Sequence, residues 1–527
     1  MARWQLLSYQ SIKWITLKQK ILTWFKINIS MDFLDPRKRR SHRLRLIVGY
    51  GLITIAIGLA TVILVYGAYG YSIDRKTGGI VQNGLLFVDS KPGNTNIYLN
   101  GKSINSATAA RLILPAADYE LILKKTGYRD WKRSFTLYEH SIARFVYPYL
   151  FPVKLVTASL KSYASLPVLV TQSPDRRWLL LQNPAATSRV VSFDEFDTSD
   201  PRKPARPLLL PSNLLTGGSE GTLTEVEWSA DNNHLLIKHD YQGASEFILI
   251  DRREPSRSMN LNRVFAFNPT QIQLYDKKVD KLYFYDRSTS TLRLANVREA
   301  ALEPVLLNRV LAFKPYGTDL ISYITDNQMP PGQVSARIWD KQQSHQLTSF
   351  PVGDTYLIDA VQFQSNWYYV AGSNTSDRLS IFKNPLNDLK NITVGRARPM
   401  TTFLITGAKM VKFSTNTRFL AFQGAQKLVV YDFEESKRYQ YNSPSASESP
   451  LRWMDGHRLI GVSEGQVLVW DYDATNRQSL VPTLLPTGGY YSSDFNRLYT
   501  VATVTGSESK TLQTTEMRAG VDLPANP

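Results

Sequence analysis

The side chains that most often perform chemistry are few in this chain. Its 527 residues include no cysteine, which excludes a cysteine nucleophile, a thiolate metal site and a disulfide framework. The six histidines are His42, His140, His234, His239, His345 and His457. Only His234 and His239 are near neighbours, and a spacing of five along a strand places them on opposite faces. The sequence therefore predicts no zinc site.

Two short motifs resemble catalytic or phosphate-binding sequences but lack the necessary context. Residues 217–221 fit G-x-S-x-G, yet a nucleophile elbow needs a strand before it and a helix after it, and the flanks here predict a loop. Residues 100–103 read Asn-Gly-Lys-Ser, but the first glycine of a phosphate loop would fall at Asn96. We therefore predict no catalytic, cofactor-binding or metal-ligating residues, and no cofactor.

The C-terminal part of the chain, residues 166–520, repeats a β-rich pattern. Each unit has an apolar strand, a polar turn, a hydrophobic strand and a further strand. Eight units begin near Leu166, Thr224, Gln271, Val310, Ile358, Met410, Pro450 and Gly489. A period of this size favours a β-propeller with four short strands per blade, whereas a β-sandwich array does not need so regular a repeat. We predict seven or eight blades, because a first and a last partial unit can combine.

Several units close on an aromatic residue followed by aspartate, at Trp339-Asp340, Tyr431-Asp432 and Trp470-Asp471. With Ser173-Pro174-Asp175 and Ser229-Ala230-Asp231, they resemble WD40-like and TolB-like repeats. We expect the aspartates to hold turns by hydrogen bonds. They would form an acid–base site only if the ring brought them together.

A smaller β-rich segment, residues 84–137, precedes the repeats. It contains short strands separated by turns at Lys91-Pro92-Gly93-Asn94, Asn100-Gly101 and Thr126-Gly127-Tyr128. The order and spacing resemble the PEGA domain of bacterial surface proteins, with Pro92, Gly93, Gly101, Gly127 and Tyr128 as its turn residues. The resemblance implies a small, non-enzymatic β-sandwich outside the cytoplasm. Residues 138–165 are predicted to be a linker that includes the stiff, proline-containing segment 145–153.

An uncharged apolar stretch at residues 46–73 is long enough to cross a bilayer as one helix. It is about twice as long as the apolar region of a cleaved signal peptide. Residues 1–45 carry eleven Lys or Arg and two Asp, which is +9 of the net charge of +17. The cations next to the stretch are Arg37, Lys38, Arg39, Arg40, Arg43 and Arg45. They predict that the N-terminus is cytoplasmic and the C-terminal part is outside.

The first thirty residues, with interleaved tryptophans and lysines, have two interpretations: an amphipathic helix on the inner leaflet, or sequence upstream of a true start at Met31.

These observations predict an all-β ectodomain behind a single N-terminal transmembrane helix. The ectodomain would hold a small PEGA-like β-sandwich and a seven- or eight-bladed β-propeller. The function favoured is non-enzymatic: a membrane-anchored cell-surface protein whose propeller loops bind an envelope protein or glycan. The alternatives are a propeller hydrolase or lyase with a site at the channel mouth, and a transmembrane sensor.

The charge outside the N-terminal segment is dispersed, so no nucleic-acid partner is expected. Aromatic residues in the repeats either fill the spaces between blades or form a stacking surface for a ligand. They are Tyr316, Tyr323, Trp367, Tyr368, Tyr369, Tyr490 and Tyr491.

Overall fold

A computed structural model describes residues 39–518, except 69–70, 74–79, 185–189, 219, 392–394, 446–449, 505 and 507. The chain forms two compact units. The first unit comprises Met1–Phe87, Arg111–Tyr119 and Thr136–Arg144, and the second comprises Val88–Ala110, Glu120–Phe135 and Phe145–Pro527.

The first unit begins with helix α1, Arg39–Ala68. Within it, Arg43–Gly67 has a mean hydropathy of 2.3 and is not buried by any other part of the protein that the structure describes. At about 1.5 Å per residue, 25 residues are longer than the hydrocarbon core of a bilayer. The helix is therefore long and apolar enough to span a membrane.

The predicted span of 46–73 ends too late, and the helix that contains it begins before residue 46. The helix already begins at Arg39, so Arg39, Arg40, Arg43 and Arg45 lie in its first turns, whereas Arg37 and Lys38 lie outside the described residues. It ends at Ala68, and Tyr71–Ile73 form strand β1 instead. The apolar run continues through this strand because the strand is also rich in apolar residues, so hydropathy alone does not mark the boundary.

A small sheet completes the first unit. Strand β2 lies in its centre, pairs with β1 and β8 and has β5 as its other neighbour. The strands are β1 (Tyr71–Ile73), β2 (Ile80–Val88), β5 (Ala110–Pro115) and β8 (Ile142–Phe145). Strand β8 lies within the predicted linker 138–165, so this part of the linker prediction was wrong. Its sequence, Ile-Ala-Arg-Phe, is too short to show a clear alternation.

The second unit begins with a four-stranded sheet in the order β4-β3-β6-β7. Its strands are β3 (Asn96–Leu99), β4 (Lys102–Ala107), β6 (Ala117–Lys124) and β7 (Trp131–Leu137). Gly101 and Gly127 have φ values of +76° and +83°, which glycine adopts without steric cost. The carbonyl of Pro92 accepts hydrogen bonds from the hydroxyls of Ser90 (2.7 Å) and Thr95 (2.8 Å). Tyr128 is buried and bridges to Pro152.

Eight further four-stranded antiparallel sheets follow in the part of the second unit that the structure describes. In chain order, the first four are β10 (Val170–Gln172), β11 (Trp178–Gln182), β12 (Ser192–Asp197), β13 (Arg206–Leu209); β14 (Thr222–Trp228), β15 (His234–Tyr241), β16 (Ala244–Asp251), β17 (Met259–Asn260); β18 (Gln271–Tyr275), β19 (Lys278–Asp286), β20 (Thr291–Asn296), β21 (Ala301–Leu307); β22 (Val310–Tyr316), β23 (Leu320–Thr325), β24 (Gln333–Asp340), β25 (Gln343–Pro351).

The last four are β26 (Tyr356–Phe363), β27 (Asn366–Ser373), β28 (Arg378–Lys383), β29 (Thr401–Leu404); β30 (Met410–Phe413), β31 (Phe419–Gln423), β32 (Lys427–Asp432), β33 (Lys437–Asn442); β34 (Arg452–Trp453), β35 (Arg458–Ser463), β36 (Gln466–Asp471), β37 (Gln478–Pro482); β38 (Tyr490–Tyr491), β39 (Arg497–Thr503), β40 (Lys510–Glu516) and β9 (Thr157–Tyr163). Short helices α2 (Leu261–Phe265) and α3 (Pro385–Leu389) and a 3₁₀ turn (Pro255–Arg257) lie between strands.

Neighbouring sheets share hydrophobic cores in a cyclic order. We number the eight sheets 1 to 8 in the order just given. Buried clusters join sheets 1 and 2, sheets 2 and 3, and each following pair up to sheets 7 and 8. A last cluster joins sheet 8 to sheet 1, with Tyr499 and Val501 against Leu179 and Leu181. This cyclic arrangement is the β-propeller that the repeats predicted. Of the seven or eight blades predicted, the described residues form eight.

The eighth sheet takes its outer strand from before the repeats. Strand β9, Thr157–Tyr163, pairs with β40, and Tyr163 lies opposite Lys510. The prediction that residues 138–165 form a linker and that the propeller begins at 166 was therefore wrong. Strand β9 reads Thr-Ala-Ser-Leu-Lys-Ser-Tyr and is largely exposed, so it lacks the apolar pattern of the inner strands.

The β4-β3-β6-β7 sheet is fixed to the seventh propeller sheet by a polar cluster that we call the mount. It consists of Trp131, Arg133, Asp471, Asp473 and Asn476. The buried Asp471 carboxylate accepts hydrogen bonds from Trp131 Nε1 (2.9 Å) and Asn476 Nδ2 (2.8 Å). Arg133 forms an ion pair with Asp473 in which both side chains are about 10% exposed. These contacts join the small sheet to the seventh propeller sheet.

The segment 145–153 supports this attachment by packing into the propeller cores. Tyr149 and Phe151 lie in the cluster between sheets 7 and 8. Tyr147 stacks on His457 with ring centroids 4.3 Å apart and an angle of 4°. The segment that was predicted to be a stiff connection is thus part of the hydrophobic core.

Candidate functional site

Charged side chains on the first strands of five propeller sheets converge on the centre of the ring. Arg452 of sheet 7 and Lys412 of sheet 6 are close enough to Glu225 of sheet 2 to affect its pKa. Lys412 in turn interacts with Lys314 of sheet 4 and Asp359 of sheet 5. In most of these residue pairs, the two residues belong to sheets that are not adjacent in the ring. The first strands of the five sheets must therefore line a common channel. We call these five residues the channel cluster.

One pair in the channel cluster is internally balanced. Lys314 Nζ lies 2.7 Å from Asp359 Oδ1. The Tyr316 hydroxyl donates to the same oxygen at 2.8 Å and accepts from the backbone N–H of Ala360 at 2.6 Å. Burial raises the pKa of Tyr316 well above its ordinary value, and the adjacent Asp359 adds to the effect. Tyr316 therefore remains a neutral hydrogen-bond donor at any physiological pH.

Two cations of the channel cluster have no carboxylate partner among the residues that the structure describes. Lys412 is exposed to the channel and forms no ion pair there. Arg452 Nη1 reaches only the carbonyls of Thr487 and Gly489, both at 3.4 Å, and its guanidinium lies 4.7 Å from the ring centre of Tyr490. Neither contact neutralises a positive charge. Lys412 and Arg452 are thus two neighbouring cations of the channel cluster without an ion-pair partner among the described residues, and Glu225 is the carboxylate that influences Lys412.

The pKa values of two residues in the channel cluster, Lys412 and Glu225, are shifted toward one another. Desolvation by the surrounding ring lowers the pKa of Lys412, and Arg452 and Lys314 lower it further. Burial raises the pKa of Glu225, against the effects of a hydrogen bond from Thr171 and of the two cations. Such opposed shifts are typical of functional sites, although structural charge networks also produce them.

A cavity of about 550 Å³ adjoins the channel cluster, a volume in the usual range of small-molecule sites. Its walls come from the first strands of sheets 2 to 5 and from the turn after β18. The polar lining residues are Glu227, Gln271, Gln273, Asp276, Lys277, Lys314 and Tyr316. Glu227 is fixed by the backbone N–H of Leu274 and by Lys277. The two glutamine amides leave donors and acceptors for a hydroxyl-rich ligand.

The residues singled out in the sequence lie away from this site. Pro92, Gly93, Gly101, Gly127 and Tyr128 occupy turns of the small domain. Among the described residues, no group of three or more His, Cys, Asp or Glu is arranged to hold a metal ion. Residues 217–221 lie between β13 and β14, and Ser219 is outside the described residues. Asp432 holds the turn after its strand by accepting from the backbone N–H groups of Glu434 and Glu435.

Most of the aromatic residues predicted either to fill the blades or to stack on a ligand do the former. Tyr323, Tyr368, Tyr369, Tyr490 and Tyr491 are buried between sheets. Trp367 packs against the core of sheets 4 and 5. Tyr316 packs against the same core and, in addition, hydrogen-bonds to Asp359 of the channel cluster.

Sequence reasoning missed the channel cluster, although a pattern for it exists. In each of five repeats, the first strand contains a charged residue, at Glu225, Lys314, Asp359, Lys412 and Arg452, and the first of these strands also contains Glu227. A charge at an equivalent position of several repeats predicts a charged ring at the centre of a propeller.

Comparison with known proteins agrees with the fold. The family model of the PEGA domain matches residues 83–147, which extends ten residues beyond the predicted end and includes strand β8. No curated protein sequence matches the chain.

Among solved structures, the Dos1 propeller is 14% identical with a TM-score of 0.41, over 68% of this chain and 94% of that one. The β-propeller domain of Myceliophteria thermophila Cps50 (Swd1) is 13% identical with a TM-score of 0.37, over 62% and 98% of the two chains. An oligogalacturonate lyase in complex with manganese is 12% identical with a TM-score of 0.37, over 69% and 98%. This likeness concerns the fold alone.

Proposed function

We propose that this chain, a PEGA domain followed by a β-propeller, is a single-pass membrane protein that binds an acidic envelope glycan at the channel cluster. Helix α1 is the anchor, and the basic residues before and within its first turns keep the N-terminus in the cytoplasm. The PEGA domain and the propeller then lie outside. Tethering raises the concentration of the binding site at the cell surface.

The observation that carries the proposal is the pair of unpaired cations, Lys412 and Arg452. An acidic group entering the channel gains charge-assisted hydrogen bonds from both. The adjoining cavity supplies the side-chain amides of Gln271 and Gln273 for sugar hydroxyls. A glycan that carries carboxylate or phosphate groups matches both halves of this site, whereas a neutral glycan would leave the cations uncompensated.

Calorimetric titration of the detergent-solubilised full chain with hexuronate oligomers, and with neutral oligomers of equal length, tests the proposal. Wild type is expected to prefer the acidic oligomers, and Lys412→Met and Arg452→Met are each expected to weaken binding by roughly tenfold, the effect of losing one charge-assisted hydrogen bond. Lys383→Met, which removes an exposed lysine on the third strand of sheet 5, is the matched control. Equal affinity for neutral oligomers, or unchanged binding in both channel variants, would overturn the proposal.

The same channel supports a second candidate, an eliminating enzyme, because the pKa of Lys412 is lowered and that of Glu225 is raised. In this role, the Lys412 amine, once deprotonated, would take the proton from the carbon next to the uronate carboxylate while Arg452 offsets the carboxylate charge. The C–H electrons would form a double bond as the glycosidic oxygen leaves with a proton from Glu225. Unsaturated oligomers accumulating during the titration with wild type, but not with Glu225→Gln, would favour this candidate over simple binding.

A further inference from the structure

One face of the sheet in the first unit is exposed and carries two ordered rows of side chains. Arg111 of β5 and Arg144 of β8 both lie over the ring of Phe87 in β2, at 5.9 and 5.5 Å from its centre. These three residues therefore form one row across the sheet. Because side chains alternate with a period of two, the residues two positions away share the same face.

The neighbouring row on this face is apolar. It consists of Leu85, Ile113 and Ile142, each two positions from a member of the arginine row. Ile113 is 66% exposed and Ile142 is 54% exposed, an unusual surface for isoleucine in strands that pack on one side only. Tyr138, in the turn before β8, is 68% exposed. We call the arginine row and the apolar row together the proximal face.

Chain continuity brings the proximal face close to helix α1. Only residues 69 and 70 separate the end of α1 at Ala68 from β1, and Tyr71 of β1 pairs with Gln82 of β2. Leu85 follows Gln82 by three residues, about 10 Å along the strand. The apolar row thus lies nearer the helix end than the arginine row does.

The charges of the proximal face are also unbalanced. Arg111 and Arg144 form no ion pair with any carboxylate in the described part of the chain, and their contact there is with Phe87. Apolar side chains beside a spanning helix, followed by arginines one row further out, match the order of layers in a membrane interface. Aliphatic and aromatic groups enter the acyl boundary, and cations reach the phosphates.

We propose that the proximal face lies on the surface of the anionic bilayer that α1 crosses. This rests on the proposed anchoring by α1. The apolar row enters the headgroup region, and Arg111 and Arg144 bind lipid phosphates. The sheet is then held at a fixed orientation to the membrane. Each arginine is expected to strengthen the contact by roughly fivefold at an anionic surface.

The absence of cysteine permits a clean labelling experiment on the full chain. Single variants Ile113→Cys, Leu59→Cys in α1 and Lys437→Cys on the propeller carry an environment-sensitive fluorophore. Each is reconstituted into vesicles of phosphatidylcholine and phosphatidylglycerol that contain nitroxide-labelled lipids. Quenching at position 113 is expected to exceed quenching at position 437 several-fold, and to fall when Arg111→Gln and Arg144→Gln are added or phosphatidylglycerol is omitted.

The outcomes separate this inference from the anchoring on which it rests. Strong quenching at position 59, with equal and weak quenching at positions 113 and 437, would overturn the proximal face and leave the anchor standing. Weak quenching at position 59 would overturn both. Quenching at position 113 that does not depend on the arginines or on phosphatidylglycerol would overturn the recognition of anionic lipid.

Discussion

The mount and the channel cluster both gather charged residues in the propeller, yet they differ in how the charges are compensated. In the mount, the buried Asp471 accepts two hydrogen bonds, and Arg133 pairs with Asp473. In the channel, Lys412 and Arg452 form no ion pair with a carboxylate of the described residues, and Glu225 influences them only through space. Removing a charge from water is costly, so a fully compensated cluster indicates a structural role. An accessible and uncompensated cluster indicates a ligand.

The largest effect should come from breaking the mount at Asp471. Asp471→Ala leaves the Trp131 Nε1 donor unpaired in a buried site, removes one of the acceptors of Asn476 Nδ2 and removes a negative charge near Arg458. We expect a loss of roughly 3 kcal/mol in the free energy of unfolding. Urea denaturation of the solubilised full chain at pH 7, followed by tryptophan fluorescence, measures it.

The matched control is Asp471→Asn, which keeps an acceptor oxygen and removes only the charge. It should be at least as stable as wild type at pH 7. If the alanine and asparagine variants lost the same stability, the hydrogen bonds of Asp471 would not be what holds the mount together.

The second effect is a pH dependence of the same residue. Burial raises the pKa of Asp471 from the ordinary 3.8 to about 6, against the effects of Arg458 and Asn476. The pKa of Asp471 is higher in the folded than in the unfolded protein, so the protonated carboxyl stabilises the folded state. This contribution is fully present below pH 4 and is lost as the pH rises through 6. Wild type should therefore lose up to about 3 kcal/mol relative to Asp471→Asn between pH 4 and pH 7.

Parallel unfolding curves of the two proteins across this range give the measurement. A constant difference between them would mean that Asp471 titrates normally and that the mount is open to water.

The propeller could be predicted from the sequence because its inner blades make a local pattern. In β31, for example, all of Phe419–Gln423 is buried, so the strand reads as an apolar run between polar turns. Strand β9 could not be found in this way. It lies at the outer edge of sheet 8, where one face meets solvent and polar side chains are tolerated.

The channel cluster shows a second limit of prediction from sequence. The charged residue in each first strand is visible in the repeats, but its partner depends on which strands meet across the ring. Lys314 forms an ion pair with Asp359 on the next sheet, whereas Lys412 and Arg452 form none with a carboxylate of the described residues. Likewise, Trp131 and Asp471 are far apart in the chain, and no local pattern predicts their hydrogen bond.

The smallest stability effect is expected in the channel, and it tests the comparison most directly. Lys412→Met removes an accessible cation that no carboxylate compensates, and methionine keeps the aliphatic part of the side chain. The free energy of unfolding should change by less than about 1 kcal/mol. Lys314→Met is the matched variant, because it leaves the nearly buried Asp359 without its cation and should cost about 1–2 kcal/mol. Equal losses in the two variants would give Lys412 a structural role and would remove the main argument for an acidic ligand.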